Sequence, residues 1–305
     1  MKKLSLSLLA LLCLSLNGQQ QLVVLGIAQD AGKPQIGCTK SCCQPGSPTG
    51  KVVSLALLDS SYSAWTLYEA SPDITEQLRL IPPQYDSIPR NVFLSHAHIG
   101  HYTGLMYFGR EAMNADSVKV HTGPRMHSFL QSNGPWSQLV DLGNIELVKV
   151  AANIDLKDTL IRRSRIPTAS ILSQFEVPHR DEFSETFGFH ISSPRKKLIF
   201  IPDIDKWEKW DIDLIALLKD VDYALIDGTF YDGAELPGRD MNAIPHPFVV
   251  ETMALLEDLP ASEKAKVYFI HLNHTNPLWD PNSEASKTVK SKGFNIAREG
   301  QIFEL

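Results

Sequence analysis

Three histidines within six residues, His96, His98 and His101, follow directly on an apolar run from Asn91 to Leu94, and no other stretch constrains the chain as strongly. The run reads as a buried strand, and the loop leaving a strand's carboxyl end can aim several side chains at one point. Neutral imidazole is the commonest protein ligand for zinc and also suits iron. Unrelated surface or core histidines are the competing reading, and the tight spacing weighs against it. The stretch therefore predicts a metal centre at a strand end.

The same placement recurs downstream. His179 follows an expected strand at Ile171 to Pro178, Asp203 follows one at Lys197 to Ile201, and His271 ends one that begins at Val267. A lone histidine at a strand end is more often structural than a ligand. Recurrence at three strand ends, after a triple-histidine loop, reverses that expectation. A carboxylate at position 203 can bridge two metals or complete the sphere of one.

A site of this kind needs a sizeable core, and 305 residues with 43% hydrophobic and 21% charged residues supply one. The formal charge of -6, with no cluster of Lys and Arg interleaved with aromatics, excludes a basic field for gripping phosphate backbones, so nucleic acid is not expected as a partner.

Residues 1–18 read as an address. Met1-Lys2-Lys3 is a short positive region, Leu4 to Leu16 a compact apolar run, and Asn17-Gly18-Gln19 a polar and small-residue end. An export signal cleaved near Gly18 is expected, with Cys13 lost in it, and residues 19–305 form a single domain. The run is short for a membrane span, and no later segment reaches transmembrane length. A periplasmic or secreted protein follows, free of the membrane after cleavage. Cys38, Cys42 and Cys43 then remain. Export suits a disulfide with one free thiol, whereas a structural zinc needs a fourth ligand beside the three thiolates.

Along the body, strands are expected at Leu22 to Ala28, Val52 to Leu58, Ala64 to Ala70, Val118 to His121, Ile145 to Val150, Leu160 to Pro167, Phe187 to Ser192, Tyr223 to Ile226, Phe294 to Ala297 and Gln301 to Glu304. Helices are expected at Pro72 to Leu80, with Ser71 as cap, and at Tyr102 to Asn114, Pro124 to Gln131, Lys206 to Leu218, Pro247 to Leu256 and Ser283 to Lys292. Strands crowd the middle and helices punctuate both halves, which suits an α+β fold of two sheets between helical layers.

These residues resemble the metallo-β-lactamase superfamily, whose H-x-H-x-D-H motif is followed at long intervals by a histidine, an aspartate and a last histidine. Here the matching positions are His96, His98 and His101, then His179, Asp203 and His271. More narrowly, Ala70-Ser71-Pro72-Asp73, Pro178-His179-Arg180-Asp181-Glu182, Gly188-Phe189, Asp227-Gly228-Thr229-Phe230 and His271-Leu272-Asn273-His274-Thr275-Asn276-Pro277 resemble pyrroloquinoline quinone biosynthesis B proteins. The resemblance implies an αββα four-layer sandwich with a metal site at one edge of its sheets. It implies His96, His98 and His179 around one ion, with His101, His271 and bridging Asp203 around a second. Zinc is the expected metal, one ion or two, with iron and manganese as alternatives. The chain departs from the motif at Gly100, which stands where the family carries an aspartate. Glycine offers no ligand, so the second position is expected to be weakened. Related phosphodiesterases of the superfamily share a zinc between an amino-terminal cysteine cluster and a histidine three residues after the last catalytic one, which implies His274 as partner to Cys38, Cys42 and Cys43.

The expected chemistry is hydrolysis of an ester, lactone or phosphodiester in a small molecule by metal-bound hydroxide. Asp203 is ligand and candidate proton acceptor, and His246 is a candidate proton donor to the leaving group, against a cap or core contact ahead of the following helix. Arg180 and Arg239 are candidates to pair an anionic substrate, against ordinary surface ion pairs. His121, His127 and His190 follow no strand-end pattern and are read as structural. Two alternatives stand beside hydrolysis: an oxidative or accessory role in biosynthesis of a pyrroloquinoline quinone-type cofactor, and a non-catalytic binding protein.

Overall fold

A computed structural model describes residues 20–150, 164–165, 171–180 and 182–305. The expected export segment, most of the expected strand Leu160 to Pro167, and Asp181 lie outside the described residues.

Six strands build the first sheet in chain order: β1 (Gln20–Gly26), β2 (Ser54–Asp59), β3 (Thr66–Tyr68), β4 (Asn91–Phe93), β5 (Val118–Thr122) and β6 (Ile145–Lys149). The second sheet holds β7 (Ser164–Arg165), β8 (Ile171–Glu176), β9 (Phe187–Ser192), β10 (Lys197–Ile201), β11 (Tyr223–Asp227), β12 (Val267–Ile270) and β13 (Asn295–Ile296). The last strand, β14 (Ile302–Glu304), returns to pair antiparallel with β1, which makes both sheets seven-stranded. From β3 to β6 and from β10 to β13 the neighbours run parallel. The carboxyl ends of these parallel strands are where the loops carrying functional side chains begin.

Alternation along β2 shows how the layers form. Leu55 and Leu57 join the core between the sheets, whereas Ala56 and Leu58 face the opposite way, into a second cluster under helices. The inter-sheet core brings Leu22, Val24, Tyr68 and Phe93 of the first sheet against Phe175, Phe189 and Ile191 of the second. On the outer side of the first sheet lie α1 (Ile74–Gln77), α2 (Ile99–Tyr102), α3 (Pro124–Ser132) and α4 (Trp136–Asp141), through Ile74, Tyr102, Met126, Leu130 and Leu139. The second sheet is covered by α5 (Leu214–Lys219), α6 (Val249–Leu255) and α8 (Glu284–Ser291), while the short α7 (Ala261–Lys264) precedes β12. The result is the expected αββα four-layer sandwich.

Several helices differ from expectation. The helix expected from Pro72 starts at Ile74 with Asp73 as its cap residue, because Asp73 turns its carboxylate to the Val52 amide (2.8 Å) and its own amide to Ser71 Oγ (3.1 Å). The stretch from Tyr102 to Asn114 is the end of α2 followed by a 3-10 helix at Thr103–Phe108. The expected helix from Lys206 to Leu218 is split into a 3-10 turn at Trp207–Lys209 and α5, which starts afresh where Asp213 accepts from the Ile215 amide (2.8 Å). Helices α4 and α7 were not expected; each is short and lacks a long apolar period.

Candidate metal centre

Each expected ligand leaves the carboxyl end of a strand on the same rim. His96, His98 and His101 follow β4, His179 follows β8, Asp203 follows β10, and His271 follows β12. His96, His101, Asp203 and His271 are 2% exposed or less, so the cluster is removed from bulk water. His98 is only partly covered and marks the open side.

The donors fall into adjoining groups whose atoms lie within 4.8 Å of one another: His96, His98 and His179 in one, and Asp30, His101, Asp203 and His271 in another. Asp203 stands between them. Its Oδ2 is 2.9 Å from His101 Nε2, 3.2 Å from His271 Nε2 and 3.8 Å from His96 Nε2, while Oδ1 is 3.7 Å from His179 Nε2. Despite these short distances, Asp203 Oδ2, His101 Nε2, His271 Nε2 and both ring nitrogens of His179 are buried without a hydrogen-bond partner among the described residues. Buried polar atoms are rarely left so, and a shared cation is one way of satisfying several at once. The donor set therefore fits a divalent metal.

The rear nitrogens are held from behind. Ser95 Oγ is 2.8 Å from His96 Nδ1, and Thr229 Oγ1 is 2.9 Å from His271 Nδ1 while donating to Asp227 Oδ1 (2.7 Å). Glu69 Oε2 is 3.3 Å from His101 Nδ1, and the same carboxylate accepts from the Ser95 amide (3.1 Å). Such partners set which ring nitrogen is free to face a metal. Glu69 and His271 both occupy the left-handed backbone region, with φ of 66° and 64°. Strain of about 1–3 kcal/mol per residue persists there only where the surroundings demand it.

Electrostatics follow from burial and from these partners. Burial holds His96 well below the ordinary histidine range and His179 down at about 4. Burial would lower His101 too, but the Glu69 carboxylate, with Asp203 and Asp30 close by, outweighs it and holds His101 well above the usual value. Burial would raise Asp203, yet His271 and His101 outweigh it and keep the carboxyl well below its usual range. The deep half of the site thus holds carboxylates that demand positive charge, supplied by a proton on His101 or by a cation.

His246 belongs to the same centre. Its Nδ1 lies 2.8 Å from Asp227 Oδ2 and 3.5 Å from Asp203 Oδ1. Burial works against its charge, but Asp227 outweighs burial and raises it. Arg180 is 53% exposed and reaches Glu182 at 3.9 Å, an ordinary surface pair, and Arg239 is exposed on its loop. His121 is structural as expected, stacked on Phe93 with ring centroids 4.1 Å apart.

The cysteine cluster also assembles. Cys38, Cys42, Cys43 and His274 bring ligand atoms within 4.8 Å, and all three cysteines are free thiols rather than the disulfide that was the alternative. Lys33 joins the two loops, donating to the Cys42 carbonyl (2.7 Å) and the His274 carbonyl (2.8 Å).

Four residues of the site were given no role from the sequence: Asp30 and Glu69, and Asp227 and Thr229, which figured only in a phrase that resembles the family. Asp227 ends β11 and Asp30 follows β1, so the strand-end argument that selected Asp203 applies to both. Glu69 lay inside the strand expected from Ala64 to Ala70, so no strand-end position marked it. It follows β3, but its part depends on the contact with His101.

The fold and these clusters define a metallo-β-lactamase-type protein. A family model for the beta-lactamase superfamily domain matches residues 64–272, and the chain belongs to that superfamily. Within it, the chain is similar to proteins named Coenzyme PQQ synthesis protein B. That of Azoarcus sp. (strain BH72) is 26% identical over 309 residues, covering 92% of this chain and 99% of the relative. That of Klebsiella pneumoniae (strain 342) is 28% identical over 316 residues, covering 92% and 97%. Among solved structures, Zn(2+)-bound PqqB from Methylobacterium extorquens shares the fold with a TM-score of 0.74 and 21% identity, over 93% of this chain and 100% of that one. A diphosphatase from the PhnP family shares it with a TM-score of 0.64 and 18% identity, over 94% and 97%.

Proposed function

We propose that this chain is an exported metal-dependent hydrolase that cleaves an ester, lactone or phosphodiester bond in a small molecule. The observation that carries the reading is the pair of donor groups meeting at buried Asp203, with ligand atoms left without hydrogen-bond partners. A divalent ion bound there would lower the pKa of its water to about 7 and polarise a carbonyl or phosphoryl oxygen. His96, His98 and His179 hold one ion, and His101, His271 and Asp203 surround the other position. Asp203 also serves as proton acceptor. Asp227, 2.8 Å from His246 Nδ1, favours the charged ring with a proton on both nitrogens, so that the Nε2 proton would be the one given to a leaving group. Export is supported by the charge and apolar pattern of residues 1–18, and no helix of the described residues is long and apolar enough to cross a membrane. A structural zinc on Cys38, Cys42, Cys43 and His274 completes the reading, supported by His274 Nδ1, which is buried and has no hydrogen-bond partner among the described residues.

The test is a screen of metal-loaded protein against phosphodiester, lactone and thioester model compounds, repeated with His98→Ala. Turnover that collapses in the variant is expected, and turnover at an unchanged rate would remove the metal mechanism. A second reading, an oxidative or accessory step in pyrroloquinoline quinone-type cofactor synthesis, is favoured by the names of relatives that match 92% of the chain. Bound iron with substrate-dependent oxygen consumption supports that reading, whereas zinc or manganese with hydrolytic turnover supports the first.

A further inference from the structure

The motif position that the family fills with aspartate is Gly100, yet a carboxylate does stand beside His101. Asp30, seventy positions earlier in the chain, places its Oδ1 3.2 Å from His101 Nε2 and 3.8 Å from His271 Nε2. Its side chain is 26% exposed, but Oδ1 itself is buried and has no hydrogen-bond partner among the described residues. The unpaired atoms facing it, His101 Nε2, His271 Nε2 and Asp203 Oδ2, belong to side chains that are 0%, 1% and 2% exposed.

We propose that Asp30 is a direct ligand of the second metal ion, delivered from the first loop to replace the carboxylate that the motif lacks at Gly100; this rests on the metal-dependent reading above. Sterics make the two arrangements exclusive. A Cβ built on Gly100 would stand 2.5 Å from Asp30 Oδ1 and 2.6 Å from Asp30 Cα, closer than real contacts allow. Glycine at position 100 is what admits the loop, and the loop brings back what glycine removed.

The separations suit one ion. Zinc bonds nitrogen or oxygen at about 2.1 Å, which sets neighbouring donors of a tetrahedron roughly 3.4 Å apart. The distances here from Asp30 to His101 and His271, and from Asp203 to the same two rings, are 3.2, 3.8, 2.9 and 3.2 Å.

The loop is anchored for the task. The Gln29 amide donates to the Leu272 carbonyl (2.9 Å) and the Leu272 amide to the Ile27 carbonyl (2.7 Å), so the segment just before Asp30 is bridged to the residue after His271. Asn273 Nδ2 donates to Gln29 Oε1, and the Gly32 amide closes the turn on the Gln29 carbonyl (2.8 Å). Asp30 and His271 are therefore held in fixed relation by backbone, which a ligand pair requires.

The experiment counts ions. Wild type is stripped with chelator, reloaded with Zn2+ alone, dialysed and assayed by elemental analysis, alongside Asp30→Asn, Asp30→Gly and His98→Ala. Wild type is expected to carry two ions in the histidine cage besides the one on the cysteines. Asp30→Asn and Asp30→Gly should each carry one fewer. An Asp30→Asn protein that keeps both cage ions, while His98→Ala loses one, overturns the role of Asp30 alone. If both variants keep every ion, the cage reading itself fails. Anomalous scattering from Zn2+-loaded wild-type crystals gives an answer without any variant: a second ion in contact with Asp30 is expected, and a second ion out of its reach overturns the proposal.

Discussion

Replacing Glu69 by Gln should weaken metal binding at the deep position by 10- to 100-fold while leaving the fold intact. Glu69 is fully buried and uses one carboxylate for two donors, the Ser95 amide at 3.1 Å and the His101 ring, Nδ1 to Oε2, at 3.3 Å. A glutamine of the same shape has a single acceptor oxygen. If that oxygen keeps Ser95, the new NH2 group faces His101 Nδ1 and favours the proton on Nε2, the nitrogen a metal needs. If it turns to His101, the NH2 group faces the Ser95 amide, donor against donor. The first arrangement puts a proton where the metal must bind, and the second leaves a buried amide unsatisfied, which costs about 1–3 kcal/mol. Removing a partner behind a ligating histidine typically weakens metal affinity by 10–100-fold, and at about 1.4 kcal/mol per tenfold the two magnitudes agree. Zinc competition against a chromophoric chelator measures the change, with circular dichroism to confirm the fold. Loss confined to the weaker-bound cage ion is expected. A dissociation constant within twofold of wild type for every ion would refute the argument that Glu69 sets the His101 tautomer.

Three further outcomes are expected. His121, held neutral by burial with a pKa of about 4 against 6.5 when free, contributes stability in full above pH 6.5 and loses it as pH falls towards 4. Between pH 7 and pH 4.5 this amounts to about 2 kcal/mol, so urea unfolding of His121→Gln should fall less steeply over that window than wild type, and parallel curves would contradict it. Gly104→Ala should destabilise by about 1–3 kcal/mol, because its Cβ would stand 2.1 Å from the Ser71 carbonyl oxygen and 2.8 Å from that of Ala70, both rigid backbone; denaturant titration gives the value, and a neutral result would show that the loop yields freely. Cys38→Ser with Cys42→Ser should remove one zinc equivalent and lower the melting temperature, and a variant with full zinc content would exclude the structural site.

What the sequence by itself determined was the set of candidate ligands at strand ends. His96, His98, His101, His179, Asp203 and His271 were legible because each rule involved is local: an apolar run makes a buried strand, and a ligating residue at its carboxyl end can reach the rim of the sheet. Two sheets between helical layers were legible from the order of strands and helices, and the αββα arrangement was what the family resemblance implied; that β2 packs on both layers emerged only from the fold. Helix limits were less so: Asp73 accepts from the Val52 amide, which only the folded chain brings to it, whereas the Asp213 cap on the Ile215 amide that starts α5 is local. Only the tertiary structure decided how the deep half of the site is completed. Gly100 read alone signals a lost carboxylate, whereas in space Asp30 occupies that place and Glu69 steadies His101 from behind. Both depend on contacts between segments far apart in sequence, set by the bridge from β1 to the segment after β12 and by the packing of β3 against β4. A residue's own neighbours in the chain determine its element, but which side chains share a buried point is decided by how the sheets pair.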